Sequence, residues 1–337
     1  MTRAGGTRSC ETGGPRRFSS VNILFFGTPE FAVPSLRALL GEGFEVVGVV
    51  TRPDRPQGRS RSQLIPSPVK AAALAEGLTV LEPTRPRGAD FLDTVRLLGP
   101  DLSVVVAYGH ILPSELIDVP ARGTLNVHAS LLPALRGAAP IQAAIREGLT
   151  ETGVSIMRIV PALDAGPVLL QMSTPIAPDE TFGELQLRLS ELGAQALIEA
   201  LALVEVGAAT ESSQNDAAAT YAPKVEKAAA RIDWTLPAEI IARAVRAYDP
   251  RPGATTAGPA GQVKLFGAQI VTERTVHARA AAAEAGTVCE IDDAGCVVAC
   301  GEGAVRIAQV QPAGRSRMTA IEWTRGRGIR IGDRLRS

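Results

Sequence analysis

The residues best suited to chemistry lie in the segment 124–128, which reads Thr-Leu-Asn-Val-His. Polar and apolar residues alternate there, as is typical of a half-buried β-strand, so Asn126 and His128 are expected to project from the same face. Further along the chain, Asp164 follows an apolar stretch and precedes Gly166, which predicts a carboxylate in a loop. An amide donor, an imidazole and a carboxylate suit a reaction with an oxygen-charged tetrahedral intermediate. The three side chains therefore indicate acyl-type transfer.

The surrounding pattern predicts the elements that must position these side chains. Residues 21–26 form an apolar strand, Thr28 is placed to cap the helix that follows, and residues 45–50 form a second buried strand. A strand, a helix and a strand in this order predict a βαβ unit and a doubly wound, mostly parallel sheet, hence a Rossmann-like α/β domain. Ligands of such sheets bind beyond the carboxyl ends of the strands. The predicted strand ends near residues 107, 128 and 160 are therefore expected to meet at one crevice.

The turn after the first strand argues against one common function of this fold. Gly27 stands there alone, because Pro29 and Ala32 occupy two of the glycine positions of the Gly-x-Gly-x-x-Gly motif. This departure disfavours a dinucleotide-dependent dehydrogenase.

A loop rich in proline and arginine follows residue 50. It contains Arg55, Arg59 and Arg61 and runs on to Pro68. Loops of this length inside a compact domain are usually functional or disordered. Two interpretations stay open: arginines that meet the phosphates of a nucleic acid, or a disordered lid facing solvent.

The length of 337 residues predicts two domains. Thr181 and Glu184 form a capping box that opens a long helix, after which the composition changes to small and polar residues. Short strands separated by glycines then predict a small OB-like β-barrel. The expected organisation is a disordered N-terminal extension over 1–20, a catalytic domain over 21–206, a linker over 207–228 and the OB-like domain over 229–337.

Composition excludes several classes of protein. With 45% hydrophobic and 21% charged residues the chain is globular, and its net charge of zero gives no general affinity for polyanions, although residues 52–70 and 306–337 are locally basic. The four cysteines provide no disulfide framework and no paired zinc motif, so a reducing compartment and no metal are expected. No apolar run is long enough for a membrane span. A monomer in the cytoplasm is the prediction.

Several motifs resemble those of the 10-formyltetrahydrofolate-dependent formyltransferases. They are the Asn-x-His block that continues to Pro133, the segment Arg-Gly-Ala-Ala-Pro-Ile-Gln over 136–142, and Leu-Asp-Ala-Gly over 163–166. The arginine-rich loop, the segment Ser-Pro-Val-Lys over 67–70 and the C-terminal domain favour those members of the family that formylate methionyl-tRNA. The likeness runs from about residue 21 to the C-terminus.

This resemblance implies a role for each site residue. The α-amino group of methionyl-initiator tRNA would attack the formyl carbon of the co-substrate 10-formyltetrahydrofolate. Asn126 would donate to the developing oxyanion, His128 would stabilise it and supply a proton to the departing nitrogen, and Asp164 would hold the imidazole in the required tautomer. The folate-binding segment would be Ser130, Leu131, Leu132 and Pro133, and the tRNA contacts would come from Arg55, Arg59 and Arg61.

Two other functions compete with this interpretation. The first is a folate-dependent formyltransferase that acts on an amino-sugar nucleotide, since related barrels follow its catalytic domain. The second is a non-catalytic tRNA-binding protein on an enzyme fold, which the presence of Asn126, His128 and Asp164 disfavours.

Overall fold

The computed structural model describes residues 21–57 and 63–337. The extension 1–20 and the central part of the arginine-rich loop, including Arg59 and Arg61, lie outside the described residues. The strands are β1 Asn22–Gly27, β2 Glu45–Val50, β3 Arg55–Gln57, β4 Gln63–Ile65, β5 Val80–Leu81, β6 Leu102–Val106, β7 Thr124–His128, β8 Glu151–Arg158, β9 Val168–Pro175, β10 Ala254–Gly258, β11 Gly261–Ile270, β12 Val288–Asp292, β13 Gly295–Ala299, β14 Ala304–Pro312 and β15 Met318–Thr319. The helices are α1 Val33–Gly41, α2 Pro68–Ala75, α3 Ala89–Leu98, α4 Ser114–Ile117, α5 Pro140–Glu147, α6 Phe182–Glu205, α7 Ala238–Ala247, α8 Arg274–Ala281 and α9 Ala320–Arg325.

The N-terminal sheet has the order β5-β2-β1-β6-β7-β8-β9. The pairs from β5 through β7 are parallel, whereas β8 is antiparallel to β7 and β9 is antiparallel to β8. The predicted Rossmann-like, mostly parallel sheet is confirmed. The expected meeting of three strand ends holds for β6 and β7 but is wrong for β8, because an antiparallel strand directs its carboxyl end toward the opposite edge.

Both faces of this sheet are buried. Successive residues of β1 point to opposite sides, and each set belongs to a core cluster. Ile23 and Phe25 contribute to a core cluster that also contains residues of α1 and α6. Leu24 and Phe26 contribute to a second cluster with residues of α3 and α4. The capping box of Thr181 and Glu184 that begins α6 forms as predicted. This two-sided burial explains why the central strands are almost wholly apolar.

The C-terminal domain is an antiparallel sheet of order β10-β11-β14-β13-β12, with β15 paired to β14. The chain end closes it, because Arg336 bridges Ala257 of β10 and Arg334 bridges Thr287 beside β12. The predicted small OB-like β-barrel fold after the α/β domain is confirmed. In the described residues, no helix is both long and apolar enough to cross a membrane.

The predicted linker, residues 207–228, contacts the N-terminal domain. An isolated bridge joins Ser212 to Val168 of β9, and another joins Tyr221 to Arg136. The amide of Ala139 donates to the carbonyl of Ala222 at 3.1 Å. Residues of the linker therefore pack along the edge of the N-terminal domain that carries Asp164.

Candidate active site

Asn126 and His128 lie on β7, where the register aligns them with Met157 and Ser155 of β8. The imidazole of His128 is only 6% exposed. Asn126 is half-buried, and its side chain makes no hydrogen bond to any residue that the structure describes. An amide that is held by a strand and has no partner is available for a ligand, as an oxyanion donor must be.

His128 has an acceptor beside each ring nitrogen. Nε2 lies 3.0 Å from the carbonyl oxygen of Leu135, and Nδ1 lies 3.7 Å from Oδ2 of Asp164. The carbonyl therefore accepts a hydrogen bond from Nε2–H, while the distance from Nδ1 to Oδ2 of Asp164 is longer than a hydrogen bond. An imidazolium would find an acceptor at both nitrogens.

Asp164 is placed by its backbone and by a neighbouring loop. Its φ of 47° lies in the left-handed region, which aspartate tolerates better than most residues. Oδ2 accepts the amide N–H of Gly137 at 2.8 Å. The structure thus brings Asp164 to His128 as the sequence predicted, although by a loop that folds back rather than by a strand end.

The segment Ser130–Pro133 runs directly from β7 and is fixed by a hydrogen-bond network. Ser155 donates to the carbonyl of Ser130 at 2.7 Å and accepts the N–H of Leu132 at 3.0 Å. Gln171 donates to the carbonyl of Leu132 at 2.9 Å. Leu132 and Pro133 also line a cleft of about 270 Å³ whose other wall is formed by β9 and linker residues 212–215. The proposed folate segment is therefore rigid and borders an open space.

Hydrogen bonds and ion pairs join the two ends of the arginine-rich loop to the N-terminal domain. Thr51 and Ser67 share a hydrogen bond of 2.8 Å, and Ser67 also caps α2. Nζ of Lys70 lies 2.7 Å from Asp54 and 2.8 Å from Glu82. These two carboxylates raise the pKa of Lys70 by hydrogen bonding. Arg55 lies in β3, which pairs antiparallel with β4, so the two described segments of the loop run side by side.

One residue that the sequence did not single out, Gln214, contacts the loop of Asp164, and Arg136 in turn contacts Gln214. Gln214 of the linker donates to the carbonyls of Asp164 and Gly166. Arg136, which is 3% exposed, donates to Gln214. No spacing or composition signal marks a glutamine in a polar linker, so only the tertiary structure could find it.

The cysteines of the barrel are not part of this site. Burial raises the pKa of both Cys296 and Cys300 to about 12, as expected for inert thiols in a core. Over residues 21–57 and 63–337, no group of three or more histidine, cysteine or acidic side chains could hold a metal ion.

Comparison with known proteins defines the class. Residues 21–201 match the formyl transferase family, and residues 224–328 match the formyl transferase C-terminal domain. The chain is 47% identical over 316 residues to methionyl-tRNA formyltransferase of Symbiobacterium thermophilum, a match that covers 94% of this chain and 95% of that protein. The chain belongs to the methionyl-tRNA formyltransferase family, which confirms the resemblance drawn from its motifs.

Solved structures with the same fold are more distant in sequence. HypX from Aquifex aeolicus in complex with tetrahydrofolic acid has a TM-score of 0.62 at 21% identity, covering 89% of this chain and 46% of that one. The sugar 3N-formyl transferase WlaRD has a TM-score of 0.63 at 16% identity, covering 88% of this chain and 99% of that one. Likeness at these identities establishes the shared fold alone.

Proposed function

We propose that this protein transfers the formyl group of 10-formyltetrahydrofolate to the α-amino group of methionyl-initiator tRNA, with Asn126, His128 and Asp164 as its catalytic residues. The observation that carries the proposal is the convergence of the unpartnered Asn126 amide and the His128–Asp164 pair beside the ordered segment 130–133. Relatives of nearly the same length that bear the name methionyl-tRNA formyltransferase support it.

The side chains suit direct attack by a bound amine. The folate co-substrate supplies the formyl group. Asn126 donates to the oxygen that gains negative charge, and a charged His128 lowers the energy of the same state. Asp164 places a negative charge beside the ring, and no nucleophilic serine or cysteine is needed.

The hydrogen bond between His128 and the carbonyl of Leu135 has a consequence for proton transfer. Nε2 is engaged by that carbonyl at 3.0 Å. To deliver the proton on Nε2 to the departing nitrogen, His128 must exchange this partner for the substrate. Delivery from Nε2 therefore requires that the substrate displaces the Leu135 carbonyl or that the ring rotates.

The folate is proposed to lie along Ser130, Leu131, Leu132 and Pro133, where the network of Ser155 and Gln171 holds the backbone in place. The tRNA is proposed to contact Arg55, Arg59 and Arg61 of the arginine-rich loop. No metal takes part in this scheme, and a cytoplasmic monomer is proposed.

The deciding experiment is a formyl-transfer assay with 10-formyltetrahydrofolate and three acceptors: methionyl-initiator tRNA, uncharged initiator tRNA and a nucleotide-linked amino sugar. Formylation of the charged tRNA alone supports the proposal. Turnover of the sugar alone overturns the assigned acceptor while leaving the three catalytic residues in place. Activity on the charged tRNA should also fall steeply with added salt, because phosphate contacts release counterions.

A further inference from the structure

We propose that Gln214, a linker residue, is a positioning residue for the catalytic carboxylate of Asp164. The inference rests on the proposed function and extends the site beyond the N-terminal domain. The inference is drawn from the hydrogen bonds of the Gln214 side-chain amide, in which both N–H donors and the oxygen acceptor have partners.

The Nε2 group of Gln214 donates to the backbone on both sides of Ala165. It lies 2.8 Å from the carbonyl oxygen of Asp164 and 2.7 Å from that of Gly166. Because a side-chain amide has two N–H donors, each carbonyl can receive one hydrogen. Gln214 thus stabilises, by two hydrogen bonds, the short turn that carries the carboxylate.

The other end of the amide is held by a buried cation. Oε1 of Gln214 accepts from Arg136 at Nε, 3.0 Å, and at Nη2, 2.8 Å. Arg136 is 3% exposed and follows Leu135, whose carbonyl contacts His128. The chain of contacts therefore begins next to the imidazole and returns to the carboxylate that faces it.

The turn needs such support, because its backbone is both unusual and crowded. Asp164 has a φ of 47°. A Cβ on Gly166 would lie only 1.9 Å from the carbonyl oxygen of Arg158, so the chain passes too close to β8 for a side chain. The position of the turn is thus fixed by the close approach of Gly166 to the backbone of β8 and by the hydrogen bonds from Gln214.

The geometry at His128 makes this support matter for rate. Asp164 is 3.7 Å from Nδ1, so a shift of less than 1 Å separates a hydrogen bond from a weak contact. Misplacement of a catalytic group by about 1 Å can cost about 10²-fold in rate. Loss of Gln214 should therefore lower kcat.

The test compares Gln214→Glu with Asp216→Asn. Glutamate keeps the acceptor for Arg136 but replaces both donors with an oxygen that repels the two carbonyls. Asp216 is another partner of Arg136, at 2.7 Å, and its side chain is 81% exposed, so Asp216→Asn perturbs the same arginine without touching the turn. Gln214→Met, which removes the hydrogen bonds to both carbonyls and to Arg136 with little change in length, is the second variant should glutamate impair folding.

The expected result for both Gln214 variants is a kcat lowered about 10²-fold, with the KM for the tRNA within about threefold of the wild type. Asp216→Asn should keep its kcat. A second readout is the ¹⁵N resonance of the imidazole, which is easily resolved because the chain has only three histidines. The signal of His128 should move in the Gln214 variants, and that of His277 should not.

A merely structural glutamine gives a different pattern. The variants would then melt at a lower temperature, while kcat per folded molecule and the His128 signal would stay unchanged, and the proposal would be overturned. Equal losses in Asp216→Asn would overturn it as well. If the wild type fails to formylate methionyl-tRNA, the proposed function is wrong, but the His128 signal still decides the role of Gln214, because it needs no acceptor.

Discussion

Oδ2 of Asp164 lies 2.8 Å from the backbone nitrogen of Gly137 and 3.7 Å from Nδ1 of His128. One carboxylate oxygen therefore joins the loop after β7 to the imidazole on β7 itself. The shorter contact fixes where the oxygen lies, and the longer contact is the one through which the proposed function has it act on His128.

Asp164→Asn separates these two contacts. The amide oxygen can still accept from Gly137, and asparagine tolerates the left-handed backbone, so the fold should be kept. The negative charge facing His128 is lost, and kcat should fall by about 10²–10⁴-fold, the range of a general acid–base contribution. Steady-state kinetics with circular dichroism on the same samples checks both points. A kcat within threefold of the wild type would remove Asp164 from the mechanism.

Asn126→Ala tests the oxyanion donor. Because the amide makes no hydrogen bond to a described residue, its removal should change the free energy of unfolding by less than about 1 kcal/mol. The rate of formyl transfer should fall about 10²–10³-fold. Chemical denaturation and a single-turnover assay measure the two effects. Near-normal turnover in a folded variant would show that the oxyanion is stabilised elsewhere.

Arg59→Ala tests the arginine-rich loop as the tRNA contact, since the resemblance implies that Arg59 contacts tRNA. The KM for tRNA should rise about tenfold, and the slope of binding against salt should become shallower by about one unit, because one phosphate contact is lost. The KM for the folate should not change. Exposed Arg37 on α1 provides the matched control. Equal effects of Arg37→Ala and Arg59→Ala would indicate charge alone rather than a specific loop.

Lys70→Met tests the ion pairs of Lys70 with Asp54 and Glu82 at the base of the arginine-rich loop. Asp54 and Glu82 raise the pKa of Lys70 above 10.5, so its stabilising effect is complete below the unfolded-state pKa and disappears as the pH rises through the higher folded-state value. The wild type should therefore be more stable than the variant at pH 8, and the difference should shrink above pH 10.5. Denaturant titrations at several pH values measure it, with exposed Lys224→Met as control. A difference that persists at the highest pH would mean that the packing of the side chain, not its charge, is responsible.

Tyr108→Phe tests a buried hydroxyl. The ring is 1% exposed and packs edge-on against Phe26 at 5.4 Å, while its OH has no hydrogen-bond partner in the described part of the chain. Removing an unsatisfied buried group should raise the free energy of unfolding by about 1 kcal/mol. Burial raises the pKa of Tyr108 to about 12, so the wild type should also lose stability between pH 10 and 12, and the variant less so. A variant that is less stable than the wild type would reveal an ordered partner for the hydroxyl.

Much of the architecture was predictable because it depends on local periodicity. The apolar run before Gly27, the strand over residues 45–50 and the capping box of Thr181 and Glu184 were recognised from spacing alone, and the structure has each of them. Thr28 was expected to cap a helix but donates to the carbonyl of Tyr108 at 2.9 Å, joining the turns after β1 and β6. Such a contact links residues far apart in the chain, and no local pattern encodes it.

The sequence by itself determined the chemistry that is available. A period of two placed Asn126 and His128 on one face of a strand, and residue types marked Asp164 as the carboxylate, because side-chain direction in a strand is a local property. The tertiary structure alone decided how Asp164 reaches His128. That placement depends on an antiparallel β8, on a turn too crowded for a Cβ at Gly166, and on Gln214 arriving from the linker. These contacts join residues that are far apart in the sequence. They form, and stabilise the site, only when the whole chain has packed.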